Sequence, residues 1–149
     1  EVGTRNADTY SKARFAREGG LALGQAEGLA FYAQRDRSGQ VLRRQCAYTV
    51  EGPVPAARFW TIYAADDNRV VLPSDTRRMP ALHSQAMLRA ADGAISISVG
   101  RHPAPGNWLS VSGGGPMQLV LTLYDTPVSA GSRVQDVELA QIARGSCDD

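Results

Sequence analysis

Short runs of apolar residues, separated by residues typical of turns, recur along most of this chain. In one of them, alternation places Cys46, Tyr48 and Val50 on the same face of a strand. Residues 94–99 alternate between apolar residues and serine in the same way. Repeated short strands of this kind predict a mainly β fold. We expect an antiparallel, jelly-roll-like β-sandwich formed by residues 1–149 as a single domain.

The clearest aromatic strand runs from Arg58 to Tyr63, where aromatic and β-branched residues predominate. Alternation places Phe59 and Tyr63 on one face, and Trp60 on the opposite face together with Arg58. Residues 66–68 (Asp-Asp-Asn) begin like a calcium loop but lack its later glycine and glutamate. We therefore expect a turn after this strand rather than a calcium site.

The N-terminal region departs from this pattern and predicts a short helix over about residues 8–18. Asp8 is a suitable N-cap, and residues such as Tyr10 and Phe15 supply an apolar side. A pair of glycines at positions 19–20 ends the predicted helix. The β-sandwich is therefore expected to carry one helix at its start.

Three other segments carry weaker signals. Residues 69–72 predict a short strand after the Asp-rich turn, and residues 134–142 alternate well enough to predict the final strand. Residues 73–90 are ambiguous: an arginine-rich stretch lies between Pro73 and Pro80, and residues 83–89 fit either a short helix or a strand.

The composition is that of a folded protein, with 43% hydrophobic and 21% charged residues in a chain of 149. These proportions exclude wholesale disorder. Sixteen basic residues against fifteen acidic residues leave a net charge of +1. This balance provides no electrostatic basis for binding nucleic acid or an anionic membrane surface, so we expect neither as a partner.

Two cysteines, Cys46 and Cys147, bear on the expected compartment. Without neighbouring histidines they supply too few ligands for a four-ligand zinc site. We favour a disulfide between them and, with it, an oxidising compartment such as the periplasm or the cell envelope. Two unrelated thiols are the alternative.

The sequence begins at Glu1 without a methionine, and no apolar run reaches the roughly 20 residues that a membrane helix needs. No signal-peptide core is present either. A cleaved signal or a membrane anchor upstream of Glu1 explains both observations, and a cytosolic protein that lacks its first residues explains them equally well. Together with the cysteines, they lead us to expect an exported protein, or one that an upstream segment anchors.

Patterns for catalysis and metal binding are weak in this chain. No Gly-x-Ser-x-Gly elbow occurs, and His83 and His102 are the only imidazole bases. A set of Ser110 or Ser112 with His102 and Asp66 can be drawn, but nothing in the spacing requires it. The two histidines also lack the close spacing of a zinc motif, so we expect no metal and no cofactor.

The glycine run at residues 113–115 is not a phosphate-binding loop, because it lacks the Lys-Ser/Thr pair and precedes a strand-like segment. We expect these glycines to let a loop pass close to an aromatic ring, with Trp108 as the nearest candidate.

Five residues are the best candidates for ligand contacts: Arg58, Trp60, Tyr63, Asn107 and Trp108. Asn107, which follows a Pro-Gly pair, either bonds to its own backbone to fix a turn or, with Trp108, recognises a sugar or another small ligand. The aromatic residues either line a groove together with Tyr124 or belong to the core.

Arg58 has its own pair of alternatives. An arginine on a strand rather than in a turn needs a partner. That partner is either a structural carboxylate, such as Asp66 or Asp125, or a carboxylate of the ligand.

The order of these features, over about residues 22–124, resembles a bacterial family known as domain of unknown function 1214. The segments that carry the resemblance are Arg58-Phe59-Trp60-Thr61-Ile62, Asp92-Gly93, Pro105-Gly106-Asn107-Trp108-Leu109, the glycine run and Leu121-Thr122-Leu123-Tyr124. Residues 33–36, 46–48 and 145–147 resemble the shorter members of that family. The resemblance implies a jelly-roll-like β-sandwich without an agreed activity and, in short members, an N-terminal membrane segment or signal. Residues 73–79 depart from the family pattern, so a ligand site in that loop is not expected to carry over.

These observations favour a non-enzymatic domain of the cell envelope that binds a small ligand or an envelope component. The alternative is an enzyme, a hydrolase or lyase acting on a small polar or carbohydrate substrate, in which Arg58 holds an anion and His102 is the base. A third hypothesis is a structural module that packs against a second domain or a copy of itself through exposed aromatic residues.

Overall fold

The described residues form two β-sheets. The structure is a computed structural model, and it describes residues 16–22, 28–73, 81–128 and 138–148. In chain order the strands are β1 (Ala16–Ala22), β2 (Leu29–Ala33), β3 (Cys46–Gly52), β4 (Phe59–Ala65), β5 (Ala81–His83), β6 (Ile95–Gly100), β7 (Asn107–Ser110), β8 (Gln118–Tyr124) and β9 (Gln141–Cys147). One turn of 3₁₀ helix, Ser84–Ala86, follows β5. The predicted mainly β class is confirmed.

The strand order is β1-β2-β8-β4-β5 in the five-stranded sheet and β7-β6-β3-β9 in the four-stranded sheet. The pairs within the five-stranded sheet are antiparallel, but β6 and β7 run parallel, with Ile97 opposite Asn107. The prediction of a wholly antiparallel fold was therefore wrong at this pair. The physical reason is the loop at residues 101–106, which carries the chain back to the end of β6 where that strand began.

Alternating residues of both sheets form one hydrophobic core. Leu119, Leu121 and Leu123 of β8 are buried in it, together with Tyr48 and other inward-facing residues of the four-stranded sheet. Each fully buried leucine of this kind contributes about 1.5–3 kcal/mol through the hydrophobic effect. The predicted inward face of β3 is confirmed, since its burial alternates along the strand.

The central strand β8 is buried on its other face as well. Val120 and Thr122 alternate with the leucines and are also buried. Val120 forms a small second cluster with Ala30 and Ala65, and the partly buried Tyr32 and Tyr63 pack against it. These residues mark the outer face of the five-stranded sheet.

The predicted N-terminal helix is not confirmed. Residues 8–15 lie outside the described residues, but residues 16–18 belong to β1 and not to a helix. Ala16 and Arg17 pair with Tyr32 and Phe31 of β2. Pairing to a sheet edge therefore outweighs the local helix preference of this alanine- and arginine-containing segment.

Two other element boundaries also differ from the predictions. Residues 69–72 form no strand, and Val71 makes only an isolated bridge to Ala65. The final strand runs from Gln141 to Cys147 rather than ending at residue 142, and the first part of the predicted segment lies outside the described residues. The later end follows from the pairing of β9 with β3, which extends to Cys46 opposite Cys147.

Among the described residues, no helix has both the length and the apolar character needed to cross a membrane.

Candidate ligand-binding site

The structure contains the predicted disulfide between Cys46 and Cys147. It joins the start of β3 to the end of β9, and the backbone N–H of Asp148 donates to the carbonyl of Gln45 at 2.8 Å. Residues at the end of the described chain are thereby held against the four-stranded sheet.

Both tryptophans lie in the interior rather than on a binding surface. Trp60 is 1% exposed, and its backbone N–H donates to Oγ of Ser84 at 3.1 Å. Trp108 is also buried, and its indole N–H donates to the carbonyl of Gly100 at 3.0 Å. Neither ring presents a face on which a ligand can stack, so the groove of aromatic residues does not include them.

Asn107 has a structural role, but its partners are not those predicted. Its Nδ2 donates to the carbonyls of Leu88 (2.8 Å) and Ser96 (3.0 Å), and its Oδ1 accepts from the N–H of Leu88 at 2.9 Å. The prediction that it bonds to its own backbone was therefore wrong. Asn107 is the first residue of β7, and this position places its side-chain amide beside the connection between β5 and β6. The amide therefore bonds to the backbone of Leu88 in that connection rather than to its own backbone.

A cavity of about 420 Å³ lies beside Asn107, at the N-terminal end of β6. Glu51, Arg89 and Asp92 line it together with Ser96. Because both amide hydrogens of Asn107 are already used, this residue shapes the cavity wall and offers no free donor to a ligand.

Arg58 lies near Asp125, one of the structural partners considered for it. Its Nη1 is 3.7 Å from Oδ2 of Asp125, and the Arg58 side chain is 83% exposed. A pair this exposed contributes little to stability. The backbone N–H of Arg58 also faces the carbonyls of Tyr124 and Asp125, so the arginine sits at one end of the five-stranded sheet.

Tyr63 belongs to an aromatic surface on the outer side of the five-stranded sheet. We call this surface the tyrosine face and define it by Tyr32, Phe59, Tyr63, His83 and Tyr124. Tyr32 and Tyr63 are both paired with Val120, whose side chain lies on the outer face. The Phe59 ring lies 5.7 Å from that of Tyr124 and 5.8 Å from that of His83, measured between centroids.

The tyrosine hydroxyls of this face carry unused hydrogen-bonding capacity. Within the described part of the chain, those of Tyr32, Tyr63 and Tyr124 have no hydrogen-bond partner. Burial raises the pKa of Tyr63, and the neighbouring Tyr32 and Tyr124 add to this shift. The Tyr63 phenol is therefore neutral and able to donate at physiological pH.

Arg69 borders the tyrosine face, with its guanidinium carbon 4.3 Å from the centroid of the Tyr32 ring. The sequence pattern grouped Phe59 with Tyr63 on one strand face, but it gave no sign that Tyr32 and His83 join them. Tyr32 and His83 are brought to this face by pairing between residues that are distant in the sequence.

The serine, histidine and aspartate set considered from the sequence does not form. His102 bonds through Nε2 to Oδ2 of Asp148 at 2.9 Å. Asp66 instead caps its own turn, as its Oδ1 accepts from the N–H groups of Asn68 and Val70. The predicted turn is confirmed, and Asp66 is not the partner of His102.

His102 lines a separate cavity of about 260 Å³ on the outer face of the four-stranded sheet. Three hydroxyl side chains line the same cavity: Thr49, Ser98 and Ser146.

The glycine run packs against Arg44 rather than against Trp108. A Cβ added to Gly113 would lie 2.6 Å from Nη2 of Arg44, and Nε of Arg44 donates to the carbonyl of Ser112 at 2.8 Å. A close approach to Gly113 is therefore present, but the predicted aromatic partner was wrong, because the neighbouring group is the guanidinium of Arg44.

The fold and these surfaces define a mainly β, two-sheet protein with a disulfide. No group of three or more His, Cys, Asp or Glu side chains is arranged to hold a metal within the residues described above. The chain belongs to the family described as "Protein of unknown function (DUF1214)", whose family model matches residues 27–128. The family predicted from the sequence is confirmed.

Two crystal structures share this fold. One, from Vibrio parahaemolyticus, is 19% identical with a TM-score of 0.70, and the match covers 86% of this chain and 33% of that protein. The other, a putative uncharacterized protein from Burkholderia cenocepacia, is 16% identical with a TM-score of 0.58, and the match covers 95% and 37% of the two chains. The present chain thus spans about a third of these solved structures. No curated protein matches it.

Proposed function

We propose that this chain is a non-catalytic binding module of the cell envelope, a single jelly-roll-like β-sandwich domain over residues 1–149. Its ligand or partner contacts the tyrosine face. The observation that carries this proposal is the cluster of three half-buried tyrosines whose hydroxyls have no partner among the described residues.

The tyrosine face has the properties of a binding surface. Tyrosine and phenylalanine rings offer large, rigid contact area, and the tyrosine hydroxyls add hydrogen-bonding groups at its edge. The rings stand on the central strands of a sheet, where backbone pairing holds them in place. A rigid aromatic surface binds with little loss of conformational entropy.

The location in the envelope rests on the disulfide between Cys46 and Cys147. Disulfides persist in oxidising compartments such as the periplasm and are rare in the cytosol.

A co-sedimentation experiment tests the proposed function. The wild-type protein is mixed with purified peptidoglycan or with vesicles of envelope lipids, and the bound fraction is measured across concentrations. We expect Tyr63→Ala combined with Tyr124→Ala to weaken binding at least tenfold, because about 1.4 kcal/mol of ring contact would be lost. The double variant should keep the wild-type melting temperature within a few degrees.

Leu88→Ala is the matched control, since Leu88 is a large apolar residue, 66% exposed, that lies away from the tyrosine face. It should bind like the wild type. Equal binding by the double tyrosine variant and the wild type would rule out the tyrosine face as the site.

One observation favours an enzyme as the second candidate. His102, which bonds to Asp148, lines a cavity together with serine and threonine hydroxyl groups, and a histidine beside a hydroxyl is the pairing that a general base and a nucleophile need. On this hypothesis His102→Ala abolishes any hydrolase or lyase activity found on small polar or carbohydrate substrates, and His83→Ala does not. Full activity of the His102 variant removes the hypothesis.

A further inference from the structure

A cavity of about 270 Å³ adjoins the tyrosine face and is lined in part by Gln118. Gln118 precedes Val120 by two positions on β8, and it pairs with Ala65 of the outer cluster. The cavity therefore lies next to the row formed by Tyr32 and Tyr63, about 7 Å further along the strands. Its volume is several times the roughly 30 Å³ that one water molecule occupies in the liquid.

The Gln118 side chain is the unusual feature of this cavity. The residue is only 4% exposed, yet its Oε1 has no hydrogen-bond partner in the part of the chain that the structure describes. Buried amide oxygens are almost always hydrogen-bonded in folded proteins. Because Gln118 lines the cavity, a rotation of its terminal amide turns this covered oxygen towards the cavity, where a donor supplied from outside the chain satisfies it.

The other polar groups of the cavity define what that donor belongs to. Arg35 and Asp67 line it together with Gln118, so one cation and one carboxylate face the same space. Arg35 is oriented by donating through Nη1 to the carbonyl of Gly39 at 3.0 Å. The two charges balance, which removes any requirement for a charged ligand. One hydroxyl group accepts from Arg35 and donates to either Asp67 or Gln118, so two neighbouring hydroxyls satisfy all three groups.

We propose that this cavity binds one ring of a neutral glycan, while the next ring of the same glycan stacks on Tyr63. This inference rests on the proposed function, since it names the ligand class of the tyrosine face. A sugar ring has hydroxyls at its edge and an apolar C–H face. It therefore matches a polar cavity that continues into a surface of aromatic rings.

Isothermal titration calorimetry with two neutral trisaccharides, N,N′,N″-triacetylchitotriose and cellotriose, tests the inference. We expect at least one of them to bind the wild type, and Gln118→Leu to weaken that binding at least tenfold, which is about 1.4 kcal/mol. Leucine has a similar size and removes a buried amide that lacks a partner, so the melting temperature of this variant should not fall. Gln85→Leu changes an exposed glutamine at the 3₁₀ turn and should bind like the wild type.

The outcomes separate this inference from the proposed function. If neither trisaccharide binds, while Tyr63→Ala still weakens co-sedimentation with the envelope, the assignment of a glycan ligand is wrong and the tyrosine face remains the proposed binding site. If a trisaccharide binds equally well to Gln118→Leu, the cavity is overturned. If Gln118→Leu weakens binding and Tyr63→Ala does not, the cavity is supported and the tyrosine face is overturned.

Discussion

Asn107 joins two parts of the fold through a single side-chain amide. Its three hydrogen bonds connect the first residue of β7 to Leu88, on the chain between β5 and β6, and to Ser96 of β6. Alanine at this position would leave the N–H and C=O of Leu88 without these partners. The residue thus acts on stability, and through it on the shape of the neighbouring cavity.

We expect Asn107→Ala to lower the free energy of unfolding by about 1–3 kcal/mol, because several hydrogen bonds are lost at a half-buried position. Urea denaturation monitored by circular dichroism measures this loss. Asn68→Ala is the matched control: Asn68 is exposed in the turn at residues 66–68 and contributes its backbone N–H rather than its side chain. Equal stability of the two variants would contradict the role assigned to Asn107.

Asp36 makes the stability of the protein depend on pH. Burial alone would raise the pKa of this carboxyl group, but hydrogen bonds from Ser38 and Gln40 outweigh it and lower the pKa below the ordinary value of 3.8. Folding therefore favours the ionised form. The resulting stability is fully present above about pH 5 and is lost as the pH falls through the lowered pKa.

Asp36→Asn should accordingly cost about 1 kcal/mol at pH 7, and its difference from the wild type should shrink as the pH falls through the lowered pKa of Asp36. Urea denaturation at a series of pH values measures both effects. Ser38→Ala removes one donor to the same oxygen and should show a smaller loss in the same direction. A difference that is constant across the pH range would contradict the assignment.

Residue patterns predicted the character of several positions but not their partners. The alternation around Phe59 and Trp60 predicted correctly that the two face opposite sides of a strand. No local pattern identifies Leu88 as the partner of Asn107, or Arg44 as the group beside Gly113, because those contacts join segments separated by 19 residues or more. Such partners depend on the whole topology.

At the scale of elements, β8 organises the five-stranded sheet. It pairs with β2 on one side and with β4 on the other, and it is buried on both faces. Gly28, just before β2, lies so close to β8 that an added Cβ would overlap the carbonyl oxygen of Leu123. The close pairing of β2 and β8 therefore requires glycine at this position.

Gly28→Ala should be strongly destabilising, because the residue has a φ of +99° and the clash is with backbone. Gly39→Ala is the matched control, as Gly39 has a φ of +89° and nothing within 4 Å of an added Cβ. Both variants incur the conformational strain, which is about 1 kcal/mol or more. We expect Gly28→Ala to cost about 2 kcal/mol beyond its control, measured by thermal and urea unfolding. A similar loss in both variants would show that the clash is relieved elsewhere.

Sequence patterns located the interior strands better than the edge strands. The strand predicted over residues 94–99 coincides closely with β6 (Ile95–Gly100), where apolar residues alternate with serine. The predictions of a helix end at residues 16–18 and of a strand at residues 69–72 were wrong. Residues 16–18 belong to an edge strand that pairs with β2, whereas residues 69–72 make only the isolated bridge between Val71 and Ala65. In both segments, pairing with a neighbouring strand determines the secondary structure more than local preference does.

At the scale of the whole molecule, one bond connects distant parts of the chain. The disulfide joins residues separated by 101 positions and closes the chain between β3 and β9. In the chain-entropy description, a loop of this length stabilises the folded state by about 4–5 kcal/mol.

Replacing both cysteines by alanine should therefore lower the free energy of unfolding by up to about 4–5 kcal/mol. Urea denaturation of the wild type with and without reductant, beside the double variant, measures this loss. Reductant should destabilise the wild type and leave the variant unchanged. A wild type that is indifferent to reductant, with two thiols open to alkylation, would contradict both the bond and the exported location inferred from it.

The most direct test of the account asks whether the tyrosine face contacts what the protein binds. The protein contains five tyrosines, and fluorotyrosine labelling gives each a separate ¹⁹F resonance, assigned by Tyr→Phe substitution. On addition of solubilised peptidoglycan or envelope lipid, we predict that the resonances of Tyr63, Tyr32 and Tyr124 shift. Tyr48, which is buried between the sheets, should not move. If binding occurs while these three resonances stay unchanged, the tyrosine face is not the binding site and the central claim fails.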